Sequence, residues 1–179
     1  MTRHSRILAG SLRGILWLRV NGKGSFDISP QLQRFASDRM EEGSHHFVVD
    51  LESCPAMDST FMGTLTGIAV QLMDKPEGRL QIVNANERNQ QLLENLGLDQ
   101  IFEVDRDGSA WKEERAMISA ELNEHNAESV CGEEAIGKRE SCECMIEAHE
   151  NLSRASQANL PKFRDVIECL KREIKAMPA

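Results

Sequence analysis

Asp58, Ser59 and Thr60 set a carboxylate and two hydroxyls side by side in the stretch CPAMDSTFMG, Cys54 to Gly63, between an apolar run and a segment of helical periodicity. Three chemistries suit such residues at such a place. Their oxygens can cap the helix, a role worth about 1 kcal/mol. A hydroxyl can also act as a nucleophile or accept a covalent group such as a phosphate. A nucleophile needs an adjacent base, and no motif puts a histidine next to Ser59. His45 and His46 precede the nearby strand rather than follow it, so they are expected at the opposite end of the sheet, in a solvated turn. The Gly-x-Ser-x-Gly elbow is absent, and Gly22-Lys23-Gly24 falls short of a phosphate-binding loop. Asp50 and Asp58 could be taken for an acid–base pair at the edge where open α/β sheets bind ligands. Without a histidine partner they do not make an enzyme, and no cofactor is expected.

The helix that follows carries Gly63 and Gly67, four residues apart, on the face that also bears Thr60, Thr64 and Gln71. A strip of such small residues could admit a partner closely, or it could let the helix approach the sheet. Cys142-x-Cys144 with His149 has the look of half a metal clip, but no second ligand pair stands at zinc-finger spacing. No metal is expected, and the five cysteines, odd in number and irregularly spaced, point to a reducing cytoplasm.

The elements that must position these residues follow from periodicity. Ile15–Val20 reads as a strand closed by a turn at Asn21-Gly22-Lys23-Gly24, with a partner strand near Ile7 and Leu8. Ser29 and Pro30 read as the cap and first residue of a helix ending near Gly43. Phe47–Leu51 is almost continuously apolar, as a parallel strand covered on both faces would be. A helix over Ser59–Met73, a strand at Leu80–Val83, a helix from Asn86 to Leu96 stopped by Gly97, and an edge strand at Ile101–Val104 complete an α/β layer over residues 1–108. The expected fold is a mixed sheet of about four to five strands with helices packed on it, followed by an α-helical extension at 109–179.

Beyond Trp111 no strand is expected. Trp111, Ile118 and Leu122, and then Met145, Ile146, His149 and Leu152, form short helical stripes separated by a polar linker at about 123–140 that Gly132 and Gly137 interrupt. The last helix, from Pro161, presents Phe163, Val166, Ile167, Leu170 and Ile174 on one face. Short helices are marginal alone, so this face is expected to pair with a second copy in a homodimer, to pair with a partner, or to fold back on the domain.

Net charge is −8, from 21 basic and 29 acidic residues, which disfavours nucleic acid and anionic lipid as partners. The first 26 residues hold Arg3, Arg6, Arg13, Arg19 and Lys23 and no acid, yet Arg13 and Arg19 break the apolar run and no cleavage site follows. No stretch of about 20 apolar residues occurs, so no membrane span is expected.

The order of parts, VVDL (Val48–Leu51), MDST and then a helix, resembles a bacterial STAS domain of the anti-sigma factor antagonist type. GKGSFD (Gly22–Asp27), LQIVNA (Leu80–Ala85) and LLENLGLDQIFEV (Leu92–Val104) resemble the matching parts of that family in the same order. The resemblance covers roughly the first 108 residues. It implies a partner switch: an anti-sigma factor serine kinase binds the antagonist and phosphorylates the serine that follows the aspartate, which ends the complex, and a serine phosphatase of the PP2C type resets it. Carried over, that serine is Ser59, with Thr60 as fallback and Asp58, Gly63, Thr64 and Gly67 in the docking face. The family commonly continues Ser-Ser-Gly-Leu-Gly, whereas here Thr60, Phe61 and Met62 precede Gly63. An alternative is a non-switching STAS scaffold in a larger signalling or lipid-transport assembly.

Overall fold

The computed structural model describes residues 4–123, 125–131 and 134–179. Among them, strands β1 (Arg6–Leu12), β2 (Ile15–Asn21), β3 (His46–Asp50), β4 (Arg79–Val83), β5 (Glu103–Val104) and β6 (Glu128–Ser129) form one sheet in the order β5-β4-β3-β2-β1-β6. β1 runs antiparallel to β2 and to β6, while β2, β3, β4 and β5 are mutually parallel. The β1–β2 turn is Arg13-Gly14, both at positive φ (53° and 78°), the two-residue geometry whose twist suits a hairpin.

Alternation along the strands divides the core. Ile7, Leu16, Leu18, Phe47, Val49 and Ile82 point to one face, toward α1 (Ser29–Glu41), α2 (Ser59–Met73) and α3 (Glu87–Asn95). Leu8, Trp17, Val48 and Val83 point to the other, where α4 (Lys112–Glu121) covers them with Ile118 and Leu122. The apolar run of β3 is therefore buried on both faces, as expected of a central parallel strand. Helix α5 (Lys138–Ala155) lies mainly on α2, and α6 (Leu160–Ala176) lies on α5.

Several local expectations are corrected. Ser29 lies inside α1 rather than capping it; the cap position is Ile28, without a side-chain bond, and the Ser29 hydroxyl donates to the Ser25 carbonyl at 2.8 Å. The last parallel strand shrinks to Glu103–Val104, because Leu98–Gln100 form a 3-10 turn after Gly97, which sits at φ 68°. Within the stretch read as linker, β6 pairs with β1, and the Val130 amide donates to the Ile7 carbonyl at 2.9 Å. Gly132 lies outside the described residues. His46 opens β3 instead of sitting in a solvated turn: its Nε2 lies 2.6 Å from Gln81 Oε1, and its ring packs against Trp111 with centroids 5.3 Å apart.

Candidate docking site at the α2 N-terminus

Two loops frame the start of α2. The Gly24 amide donates to the Ala56 carbonyl at 3.0 Å and the Asp58 amide to the Gly24 carbonyl at 2.8 Å, which ties the loop after β2 to the loop after β3. A methyl group on Gly24 would sit 2.6 Å from the buried Phe61 ring, so this crossing requires glycine. Asp58 adopts the extended cap conformation. Its Oδ1 accepts from the Phe61 amide at 2.9 Å and its Oδ2 from the Phe26 amide at 2.9 Å. The carboxylate thus satisfies the helix end and pins the neighbouring loop. The Ser59 hydroxyl is left with no capping duty.

That hydroxyl meets α5. Ser59 Oγ lies 2.9 Å from His149 Nε2, and His149 Nδ1 lies 2.6 Å from the Met145 carbonyl. A carbonyl only accepts, so Nδ1 carries the proton, Nε2 of the neutral ring is the acceptor, and Ser59 donates. Burial pushes the His149 pKa below its ordinary value, against the opposing pulls of the Met145 carbonyl and the Asp58 charge, which favours that neutral ring. Ser59 and Asp58 are half-buried, whereas Thr60 is only 4% exposed.

The small-residue strip of α2 is likewise fitted to α5. A methyl group on Gly63 would lie 2.8 Å from Ala148 Cα and closer still to its carbonyl, and one on Gly67 would meet Asn151 Nδ2 at 2.5 Å. The Thr64 hydroxyl donates to the Thr60 carbonyl at 2.9 Å and lies 3.9 Å from Cys144 Sγ. Burial raises the pKa of the Cys144 thiol to about 11. In this structure the strip faces the chain's own helix α5, so a partner would enter over the glycines in the place of α5.

The tail face also docks internally. The Phe163 ring lies 5.3 Å from the His149 ring, Leu170 is buried on α5, Ile167 and Ile174 are half-buried, and Val166 remains 37% exposed. Among the described residues, no three His, Cys, Asp or Glu side chains converge as a metal site. Asp50 and Asp58 do not act as a pair. Asp50 accepts from Arg19 Nε at 2.9 Å, Asn84 Nδ2 at 2.9 Å and the Glu52 amide at 3.0 Å, beside a cavity of about 290 Å³ that Arg115 and Ser119 also line. Where no motif put a histidine, His149, 90 residues away in sequence, stands beside Ser59, and the lack of an adjacent base no longer argues against a nucleophilic serine. The visible signal was a histidine within the apolar stripe of α5.

Comparison with known proteins bears on the fold of the sheet domain. A solved structure from Thermotoga maritima, described as a candidate anti-sigma factor antagonist, superposes with a TM-score of 0.53 at 19% identity, covering 60% of this chain and 92% of its own. An anti-sigma factor antagonist from Mycobacterium paratuberculosis superposes with a TM-score of 0.52 at 16% identity, covering 66% and 96%. No curated protein matches the chain in sequence. The STAS domain family model matches residues 7–109, from the first strand through the loop beyond the last parallel one, and the chain belongs to the STAS domain family.

Proposed function

We propose that the chain is a cytoplasmic anti-sigma factor antagonist that works as a phosphorylation-controlled partner switch, not as an enzyme. With Ser59 free it binds an anti-sigma factor serine kinase; with Ser59 phosphorylated it releases it, and a phosphatase of the PP2C type resets it. ATP and Mg²⁺ belong to the kinase. The observation that carries this reading is the division of labour at the helix start, where Asp58 caps α2 and the half-buried Ser59 hydroxyl owes nothing to the backbone. Ser59 is the acceptor rather than the buried Thr60. Phosphate would add about −1.5 to −2 charges there. The helix dipole offsets part of that locally, by about 0.3–1 kcal/mol, but a docked partner facing Asp58 and a phosphate would lose several kcal/mol, roughly a thousandfold in affinity. The docking face comprises Asp58, Ser59, Thr60, Gly63, Thr64 and Gly67.

One observation favours the scaffold reading instead: α5 already occupies that face. Ser59→Asp separates the two. Loss of anti-sigma factor binding supports the switch, and unchanged binding supports a scaffold. A homodimer would have to use what α6 leaves open, chiefly Leu160 and Val166. No helix among the described residues is long and apolar enough to cross a membrane.

A further inference from the structure

We infer that the α5–α6 hairpin is a detachable cap, an intramolecular occupant of the α2 docking face that closes on the free Ser59 hydroxyl and leaves when that oxygen is esterified. The inference rests on the reading of Ser59 as the modified residue. Three features of the contact carry it.

The first is its seat. Helix α5 lies where a partner helix would lie: the Ala148 backbone fills the space over Gly63, Asn151 reaches over Gly67, and Asn151 Nδ2 donates to the Gly63 carbonyl at 3.4 Å. A rival for this seat must be a helix with a small residue at the point of closest approach, because a larger side chain would meet the α2 backbone.

The second is the quality of the interface. Leu152 and Ala148 are its apolar anchors. Much of the rest is polar or thiol: Ser59 to His149, Thr64 to Cys144, and a cavity of about 110 Å³ lined in part by Gln33, Ser37, Gln71 and Glu147. Polar pairing of this kind is commoner in contacts that part than in a domain core, although this contact is also the most extensive between two elements among the described residues. Most of the sheet's core lies outside the hairpin, since α1, α2 and α3 cover one face and α4 the other, and Val130 stays tied to Ile7 ahead of the departing helix; opening uncovers Leu152, which belongs to that core, and breaks the bond from the buried Asn159 to the Leu96 carbonyl at 2.9 Å. Helix α6 buries only Leu170 outright and rides on α5.

The third is the direction of the latch. His149 Nδ1 is committed to the Met145 carbonyl, so Nε2 needs a donor, and Ser59 supplies it. Esterification replaces the hydroxyl proton with phosphorus. While the ring stays neutral, as its burial favours, two lone pairs then face each other at hydrogen-bond distance and a buried acceptor loses its donor, a change worth roughly a tenfold or greater shift toward the open state.

Cysteines already in the chain report the opening. Cys142 and Cys144 are buried in α5, while Cys54 is buried in the sheet domain. Full-length protein is pulsed with isotopically coded iodoacetamide and the labelling of each thiol is read by mass spectrometry. In the wild type, Cys142 and Cys144 should label faster than Cys54. Ser59→Glu and, separately, His149→Ala should each raise Cys144 labelling about tenfold or more and leave Cys54 unchanged. One common rate for Cys54, Cys142 and Cys144 in the wild type would overturn the cap, because the hairpin would then open only with global unfolding. So would unchanged Cys144 labelling in both variants. A Ser59 that accepts phosphate while Cys144 stays protected would remove the cap and keep the switch.

Discussion

Replacing Gly63 by alanine adds one methyl group where α2 and α5 touch most closely. The new carbon would stand 2.8 Å from Ala148 Cα and closer to the carbonyl of the same residue. Ordinary contact begins about 3.4 Å apart, and backbone cannot swing aside as a side chain can, so α5 must retreat. Overpacking of this kind costs about 1–3 kcal/mol. Alanine returns about 1 kcal/mol through its better helix propensity. That gain belongs to α2 whether or not α5 is docked, so the docking of α5 itself loses about 1–3 kcal/mol, a factor of roughly five to 150. Gly67→Ala is the matched control: its methyl group meets the Asn151 side-chain amide, Nδ2 at 2.5 Å, the end of a side chain that can rotate away, so the docking of α5 should change little. Hydrogen–deuterium exchange should show α5 amides deprotected in Gly63→Ala, with β3 unchanged, and neither change in Gly67→Ala. Equal protection of α5 in wild type and Gly63→Ala would refute the packing argument. Equal deprotection in both variants would refute the distinction between backbone and side-chain contact.

Burial lowers the pKa of both His149 and His46. The unfolded chain therefore takes up protons first on acidification, and the stability owed to the neutral rings is complete above the ordinary histidine range and lost as pH falls through it toward the lowered folded values. The thermal midpoint should drop between about pH 7 and 5, and His149→Gln should flatten part of that slope; a midpoint rising on acidification over the same range would contradict the assignment. Asp50→Ala takes the carboxylate from the half-buried Arg19 guanidinium, which is 13% exposed against 3% for Asp50, and should cost about 3 kcal/mol in denaturant unfolding; a loss below about 1 kcal/mol would show that the pair is solvated. Gly24→Ala drives a methyl group into the Phe61 ring and should destabilise the whole sheet domain by about 1–3 kcal/mol; a variant as stable as wild type would mean that the two loops part without cost.

The elements that carry strong periodicity were legible in the sequence. The apolar run of β3, the Ser59–Met73 span of α2, the Asn86 start of α3 and the Gly97 stop all stand as read. Strand β6 was not legible, because Glu128–Ser129 is polar and two residues long, and it owes its existence to the open edge of β1 rather than to its own pattern. The stripe of α5 was read in part: His149 and Leu152 are buried as expected. The residues buried outright are Cys142, Cys144, Ala148, His149 and Leu152, while Met145 and Ile146 are only partly covered. Small side chains face α2 because the glycine strip leaves no room for large ones, and hydrophobicity alone cannot signal that. The cap on α2 was legible as a cap, but the partner of Ser59 was not. His149 reaches it across 90 residues of chain, through a helix–helix contact that no local pattern specifies.

The most direct measurement is phosphate mapping. The chain is incubated with ATP, Mg²⁺ and an anti-sigma factor serine kinase that binds it, then digested and sequenced by mass spectrometry, with kinase binding measured before and after. A single phosphate on Ser59, and a complex that forms with the unmodified chain and falls apart once the phosphate is on, is the result the account predicts. Phosphate placed elsewhere, or a complex indifferent to phosphate on Ser59, would contradict it.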